Sequence, residues 1–514
     1  MTAVGGQAEP AEHFPSHAST SDLSLTRPPF ERVGDRLAAQ AVHLAAPCSL
    51  VLVDTAALAV SIGLALLLRV HVLPVLWPVF PPALPENLNI WWLPAVGVLC
   101  LGASGLYTKR LSFWRECEYL VKAVTFAFLI TLAVVSLAKI SHEVSRTVIV
   151  LAWLISLATV PLCRWAGKSL LARTGIWRRR VLVFGAGKTG ELVAAALTRD
   201  RYLGYEICGF LEDDPAKRGG VRVNGRHFPV LGGFRDSDRV MAETGAYDLI
   251  VAAPGMPPDQ LVGLVNRLHR RAASVQVVPD LFGMPAVGAE ADYLFQEKTL
   301  VLRVKNNLAS PLNRLVKRVF DLLTGGVLLA VLAPLLAVLA LAVKLDSPGP
   351  VLFRHRRIGH RGKEFKCYKF RTMVINAEVF LQEHLKKNPT LRREWERNFK
   401  LKNDPRVTRV GRFLRTTSLD ELPQIFNVLK GEMSLVGPRP IVRDEVPRVG
   451  PYINDFYLIR PGITGLWQVS GRNDIDYAER VRLEAWYVHN WSLWLDITLL
   501  IRTLAVVFSR RGAY

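Results

Sequence analysis

Apolar residues run in long unbroken blocks over the first third of the chain. Four of them, 49–68, 88–107, 120–138 and 147–166, each approach the ~20 residues that cross a bilayer as a helix. Arg27, Arg32 and Arg36 precede the first block, and Lys109, Arg110, Arg115 and Lys122 separate the second from the third. Arg164, Lys168, Arg173 and the basic stretch 178–180 follow the fourth. The first loop on the other side is Pro-rich with one cation, Arg69; the other holds Lys139, Glu143 and Arg146. Positive residues favour the cytoplasmic face, so both ends of this bundle (36–172), and everything after it, are expected in the cytoplasm. A soluble four-helix bundle would leave the asymmetry unexplained. Residues 1–35, rich in Ala, Ser, Pro and Glu without a period, are expected to be disordered. They are not a secretory signal, since no basic start leads into a short apolar core.

After residue 172 the pattern shortens. β-branched runs at 180–184, 206–211, 248–252 and 274–278 combine with helical patterns at 191–198 and 259–271, which predicts a parallel, Rossmann-like α/β domain over 173–305. Gly185, Gly187 and Gly190 fit G-x-G-x-x-G between the first strand and the first helix. Backbone amides there can hold a pyrophosphate. The acidic candidates for a ribose, Glu212, Asp213 and Asp214, come later than the usual spacing of about 20 residues. Leu182 stands where a P-loop needs its first glycine, so Gly187-Lys188-Thr189 is not one. The sequence leaves open whether this domain binds a dinucleotide, another nucleotide or nothing, and whether it regulates or makes a homodimer contact.

A fifth apolar block, 319–343, has Pro334 in its middle and cations at both ends: Arg314, Lys317 and Arg318 before it, Lys344 and 354–357 after it. If positive charge holds both ends on one side, the segment enters the bilayer and returns, bent where the proline removes a backbone donor. The alternative is a kinked spanning helix. Residues 311–430 hold about 24 Lys+Arg against about 10 Asp+Glu, interleaved with Phe353, Phe365, Tyr368, Phe370, Trp395 and Phe399. That suits an interfacial surface handling phosphorylated substrates. Over all 514 residues, 65 Lys+Arg outweigh 44 Asp+Glu, a formal +21, with half the chain hydrophobic. This excludes an acidic soluble enzyme and a disordered chain. The six scattered cysteines form no C-x-x-C and read as buried thiols in a reducing compartment.

Two segments can carry chemistry. In Arg415-Thr416-Thr417-Ser418-Leu419-Asp420-Glu421-Leu422-Pro423-Gln424, two adjacent carboxylates sit in a basic region. Ser418 and Glu421 fit an S-x-x-E capping box, but Pro423 would then break the helix, which must be kinked or start later. One carboxylate can attack phosphorus while its neighbour holds a divalent cation. In 433–440, Pro438 and Pro440 fix the backbone around Arg439, whose planar fork suits phosphate oxygens. The Gly-punctuated loop 460–473 follows. Trp486, Trp491 and Trp494, ahead of apolar 497–508, read either as a headgroup-level anchor or as core packing.

From about Asn313 the chain resembles the monotopic polyprenyl-phosphate sugar-phosphate transferases. The motifs are Lys317-Arg318…Asp321…Pro334, Gly349-Pro350-Val351…Arg357-Ile358-Gly359, Cys367-Tyr368-Lys369-Phe370-Arg371, Thr417 to Gln424, Ser434 to Pro440 and Arg460 to Arg472. The four blocks and α/β domain ahead of them resemble the large bacterial members. The 400–406 run, 470–474 and Gly512-Ala513-Tyr514 resemble the galactose-phosphate-transferring, undecaprenyl-phosphate-dependent ones. The resemblance implies a fold, a four-helix transmembrane bundle, a Rossmann-like domain, and a re-entrant helix with a monotopic α/β catalytic domain over 306–514. It implies a reaction in which UDP-hexose and undecaprenyl phosphate give undecaprenyl-diphosphate-hexose and UMP, the first membrane step of O-antigen, capsule or exopolysaccharide synthesis. Asp420 is then the nucleophile that carries the phospho-sugar, and Glu421 a Mg2+ ligand. Arg415, Arg439, Pro438, Pro440, Lys369 and Arg371 are the phosphate- or nucleotide-binding candidates, and Asp496 an acidic family position. Ala333 precedes Pro334 where the family commonly has serine, which removes a hydroxyl at the bend.

Galactose is the expected sugar and glucose the alternative; the site is expected on the inner face of a bacterial inner membrane. A nucleotide-sugar dehydratase or epimerase would need Tyr-x-x-x-Lys, and no tyrosine here is followed by lysine at that spacing. A non-catalytic regulator binding nucleotide and acidic lipid remains as a second class. Nothing resembles a nucleic-acid-binding motif.

Overall fold

The computed structural model describes residues 33–79, 91–138, 145–280, 290–294, 299–387, 404–471 and 475–509. The expectations for 1–32, for Lys139 and Glu143, for Trp395 and Phe399, for 400–403, for 472–474 and for the C-terminal 512–514 lie outside the described residues. The chain divides into two compact units, Met1–Asp280 and Leu281–Tyr514.

Among the described residues four helices are long and apolar enough to cross a membrane: Ala45–Leu76, Phe113–Leu137, Arg146–Arg173 and Pro311–Asp346. Three match the first, third and fourth apolar blocks. The second block yields only an eleven-residue helix, Leu93–Ala103, with Pro94 in its first turn, where a missing amide breaks no helical hydrogen bond. Leu58, Leu101, Leu120, Val124, Ile149 and Val160 make the bundle core.

Inside this apolar bundle Asp54, Glu116, Arg164 and Lys168 form one buried group of charges, with Arg69 buried elsewhere in it, an arrangement that is costly unless every one is paired. Arg164 sits 3.1 Å from Asp54 and 3.3 Å from Glu116, and Lys168 donates to both oxygens of Glu116 at 2.7 and 2.6 Å. Arg164 and Lys168, counted above among the cytoplasmic flanking cations, are therefore internal partners, which weakens but does not reverse the charge asymmetry. Arg110 is likewise committed: it donates to the carbonyls of Trp177 and Leu203, both at 2.8 Å, and stacks on the Trp177 ring. It thereby ties the loop after Leu93–Ala103 to the α/β part of the same unit. Of the cysteines only Cys117 and Cys367 are buried, and Cys48 is exposed, so the uniform burial expected of them does not hold.

The α/β part is an open parallel sheet of five strands. In spatial order they are Val230–Gly232, Tyr205–Leu211, Arg179–Phe184, Asp248–Val251 and Ser274–Val277. Its central strand, Arg-Arg-Val-Leu-Val-Phe, buries four consecutive apolar residues, as a strand covered on both faces must. Helices Lys188–Arg199 and Pro258–His269 match their sequence patterns. The three-residue edge strand Val230–Gly232 and the helix Ser237–Thr244 escaped them, being too short to display a period.

The second unit is organised around Pro311–Asp346. This 36-residue helix continues through Pro334, so the expected return is not a break in the helix. Proline there leaves the Ala330 carbonyl without its helical donor. Lys317, Asp321 and Gly325, spaced by four, face inward near one end; Leu336, Leu339 and Val343 do so near the other. Both ends pack on the same unit: Asp321 accepts from Ser434 Oγ and Leu435 N, both 3.0 Å, while Leu336, Leu339 and Val343 meet Phe370 and Leu414. The outer face stays apolar and exposed from Leu315 through Val327 and Val331 to Leu345. Around the helix lie a hairpin, Leu352–Ile358 with Glu364–Phe370, and a short parallel pair, Ser434–Val436 with Gly462–Thr464. Gly437 is required beside that pair, since a Cβ would lie 2.6 Å from the Arg460 carbonyl. Trp491 is a core residue whose Nε1 donates to Asp496, which answers the anchor reading for that tryptophan.

Candidate active site

The Asp420–Glu421 pair stands on a 3-10 segment, Leu419–Gln424, between the helices Arg409–Thr417 and Ile425–Lys430. Pro423 explains the local choice: the regular helix begins only after it, at Ile425. The capping box does not form. Ser418 ends the preceding helix in a left-handed conformation, φ 56°, and its side chain caps nothing. Such a conformation is disfavoured for a non-glycine residue by about 1–2 kcal/mol, strain of the kind that clusters at functional sites.

Glu421 reaches across to the hairpin, where Lys369 Nζ donates to its Oε1 at 2.6 Å. The pair is partly exposed, so its value is positional more than energetic, about 1 kcal/mol or less. Arg415 is held by a 2.9 Å bond from Nε to Thr372 Oγ1 and lies within electrostatic reach of Asp420. Burial first, and the Glu421 charge second, push the Asp420 carboxyl up to about 6, against the opposing pull of Lys369 and Arg415. A carboxylate raised this way is short of solvation, and therefore reactive, yet still ionised near neutrality.

Pro438 and Pro440 are buried on either side of Arg439. The turn is fixed from three directions: Gly462 N donates to Pro438 O at 2.9 Å, Arg357 Nη1 to Pro440 O at 3.2 Å, and Arg439 N to Glu484 Oε1 at 2.8 Å. Burial pushes Glu484 up to about 7 even with Arg480 beside it. The Arg439 guanidinium lies 5.7 Å from the Trp467 ring.

Not every residue singled out from the sequence joins this group. Arg371 turns the other way: its guanidinium is buried and donates to Ser347 O at 2.7 Å and Val343 O at 3.4 Å, at the C-terminal end of Pro311–Asp346. It holds that helix end, whose last carbonyls otherwise lack donors, through Nη2 alone. Pro334 sits in the exposed middle of the helix. Two residues were missed. The hairpin register pairs Phe353 with Lys369 and His355 with Cys367, so His355 and Arg357 share a face with Lys369. Arg357 Nη2 contacts His355 Nδ1 at 3.3 Å, and burial together with Arg357, Lys369 and Arg439 lowers the His355 pKa. The signal was the alternation 353-355-357 ahead of a Gly-bearing turn.

Among the described residues no three His, Cys, Asp or Glu side chains gather as a metal cage. Mg2+, however, usually takes one or two carboxylates plus substrate phosphates. Two adjacent carboxylates, one carrying the penalty of its neighbour's charge, fit that requirement.

The Gly-rich loop lies in the other unit. Gly185 adopts φ +103°, and a Cβ there would stand 2.5 Å from the Ala252 carbonyl, so only glycine fits between the two central strands. A cleft of about 740 Å3 opens beside it.

Bacterial sugar transferases match residues 312–510 as a family, and a CoA-binding domain family matches 103–279. A UDP-galactose-lipid carrier transferase of Erwinia amylovora is 39% identical over 82% of this chain and 87% of its own. The chain belongs to the bacterial sugar transferases. An undecaprenyl-phosphate galactose phosphotransferase of Salmonella typhimurium is also 39% identical, with the same coverage of 82% and 87%. A UDP-glucose:undecaprenyl-phosphate glucose-1-phosphate transferase of Escherichia coli is 32% identical over 78% and 86%. As a member of this family the protein is a sugar-phosphate transferase, and the carboxylate pair lies within the part that the family covers.

Proposed function

We propose that this sugar transferase moves hexose-1-phosphate from UDP-hexose to undecaprenyl phosphate in two displacements at Asp420. A carboxylate oxygen of Asp420 attacks the sugar-bearing phosphorus, and the phosphoanhydride bond breaks with its electron pair leaving on UMP. An oxygen of the lipid phosphate then attacks the same phosphorus, releasing the carboxylate and undecaprenyl-diphosphate-hexose. The observation that carries this reading is a half-buried carboxylate kept reactive beside Glu421 and faced by Lys369 and Arg415. Arg439, presented on the rigid Pro438–Pro440 turn, is placed to clamp the phosphates, and Lys369 to hold Glu421 in register. Mg2+ bound through Glu421 would screen the converging anions, which otherwise repel one another in a poorly solvated site.

Galactose is the proposed sugar, supported by the higher identity to relatives named for galactose; glucose is the alternative, supported by those named for it. Helix Pro311–Asp346 is proposed to enter and leave one leaflet, because both ends pack on the same unit while an apolar face stays open along its length. The site would then face the cytoplasm at the inner membrane, and Met1–Asp280 would contribute the bundle and a Rossmann-like domain. UMP release from a panel of UDP-sugars with undecaprenyl phosphate tests the proposal. Release only with UDP-galactose supports the full reading, release only with UDP-glucose corrects the sugar, and no release from either ends it.

Two expectations belong to this site. The attacking form is ionised Asp420, so the initial rate should climb as pH rises through about 6 and level off above 7. For stability the sign is opposite: a raised folded pKa means that ionising this carboxyl costs stability between about 4 and about 6. Glu421→Gln removes the like charge, so the midpoint should move to lower pH, and the Mg2+ concentration for half-maximal rate should rise by roughly tenfold. A profile flat from pH 5 to 8 in the wild type would count against Asp420 as the reacting base.

A further inference from the structure

We infer that a second cleft, where the membrane-length helix Arg146–Arg173 meets the α/β part of the same unit, binds the head group of an anionic phospholipid. The cleft, about 720 Å3, lies between the last turns of that helix and the starting ends of strands Arg179–Phe184 and Tyr205–Leu211. Its volume is in the range that encloses a small ligand. Ligands of open parallel sheets sit at the carboxyl ends of the strands, so this opposite end is set apart from a nucleotide site. The inference rests on the helix lying in a membrane, and not on the transfer reaction.

Charge gives the class of ligand. Arg173, Arg178, Arg201 and Arg226 line the cleft and are exposed, and Glu206 is the one acid among its lining residues. The side chains of Arg173, Arg201 and Arg226 have no hydrogen-bond or ion-pair partner among the described residues. Arg178 has engaged only Nε, at 3.0 Å from Ala172 O. Lys168, on the same wall, spends its ammonium on Glu116. Unengaged guanidiniums converging on a cleft at a membrane surface suit phosphate oxygens.

The cleft is already built. Trp177 in its floor is 4% exposed and donates Nε1 to Tyr202 O at 3.0 Å, and Arg110 locks the carbonyls of Trp177 and Leu203 from behind. The backbone beside Arg178 and Arg201 is thereby fixed before any ligand arrives, which lowers the entropy lost on binding.

An apolar track separates a lipid from a free phosphate. Leu154, Ala158, Leu162 and Trp165 are exposed on one face of Arg146–Arg173, at spacings of four, four and three, and Ser169 and Arg173 continue that face into the cleft. Tryptophan favours the head-group level of a bilayer, and Arg173 stands about 12 Å further along the helix axis than Trp165. A phosphate at Arg173 is then on the water side of the head-group level, and acyl chains attached to it run back along the track. A soluble phosphate would meet the arginines and leave the track bare.

The test offers phosphatidylglycerol or phosphatidylcholine to the full chain in a neutral detergent and reads lipid occupancy by native mass spectrometry. Phosphatidylglycerol should bind roughly tenfold more tightly, because only it carries net charge, and the preference should shrink at about 0.5 M salt. Arg201→Gln with Arg226→Gln removes two exposed, unpaired cations outside the membrane helix and should bring the two lipids within about twofold. Lys188→Gln with Arg235→Gln, an equal loss of charge beside the Gly-rich loop, should keep the preference. Glycerophosphoglycerol and inorganic phosphate at millimolar concentration should not displace the lipid. Displacement by either, equal binding of the two lipids, a preference that survives Arg201→Gln with Arg226→Gln, or one lost equally in the control pair would overturn the inference. A chain that stays dispersed without detergent would overturn the membrane placement together with this site; a detergent-requiring chain with no preference overturns the site alone.

Discussion

Asp420→Asn is expected to reduce UMP release by roughly 10^4-fold or more, the scale seen when a covalent nucleophile is removed. Asparagine keeps the shape and hydrogen-bonding reach of the side chain but lacks the charge and the nucleophilic oxygen pair. The fold should tolerate it, because ionising Asp420 in its half-buried position is unfavourable and the amide carries no such penalty. The variant should therefore purify normally with a thermal midpoint equal to or above the wild type. It should still bind UDP-hexose, since Lys369, Arg415 and Arg439 are untouched. Wild-type enzyme quenched during turnover with radiolabelled donor should carry label on the peptide containing Asp420, and the variant should carry none. Near-normal turnover by the variant, or label on another peptide, would remove the two-displacement scheme while leaving membership of the sugar transferases intact.

What the sequence disclosed follows from the length scale of each signal. Blocks of apolar residues, and strands covered on both faces, are long and redundant, so three membrane-length helices and four of the five sheet strands lie where their patterns place them. The carboxylate pair was equally visible, because two adjacent acids stand out in a strongly basic stretch, even with a capping box as the competing structural reading. Its local geometry was only half legible. Pro423 signalled that a helix cannot run through the pair, yet nothing in the letters says that Ser418 turns left-handed or that Glu421 finds Lys369 some 50 residues earlier. Arg371 shows the reverse failure. In sequence it sits in a motif with Lys369, but two steps along a strand and one bend beyond its end take its guanidinium to a helix terminus. Glu212 is a third case: it was a ribose candidate despite its late spacing, and only the fold reveals two backbone amides occupying it. The Glu421–Lys369, Arg371–Ser347 and Glu212–Ala186 contacts each involve a partner remote in sequence, which local pattern does not encode.

The largest effect on stability should come from a residue remote from the reacting carboxylate, Asp496. Its carboxylate, 1% exposed, accepts from Lys317 Nζ at 2.6 Å, Tyr487 Oη at 2.6 Å and Trp491 Nε1 at 3.1 Å. Lys317 also donates to Val436 O at 3.0 Å, so one buried ammonium joins Pro311–Asp346 to the strand that leads into the Pro438–Pro440 turn. Taking both charges out of water is unfavourable, and their pairing does little more than offset it. Removing one is different, because the survivor stays buried without compensation, at a cost of about 3–5 kcal/mol. Asp496→Leu strands the Lys317 ammonium, leaves the Trp491 donor unpaired and leaves the Tyr487 hydroxyl only its 3.2 Å bond to Val436 O. It should lower the denaturation midpoint sharply in detergent, and reduce turnover by loosening the turn that presents Arg439. Adding Lys317→Met removes the orphaned charge and should recover at least half of the lost stability, the non-additivity expected of a directly coupled pair. Strictly additive losses in the double variant, or an unchanged midpoint in Asp496→Leu, would show that this ion pair does not join Pro311–Asp346 to the strand Ser434–Val436.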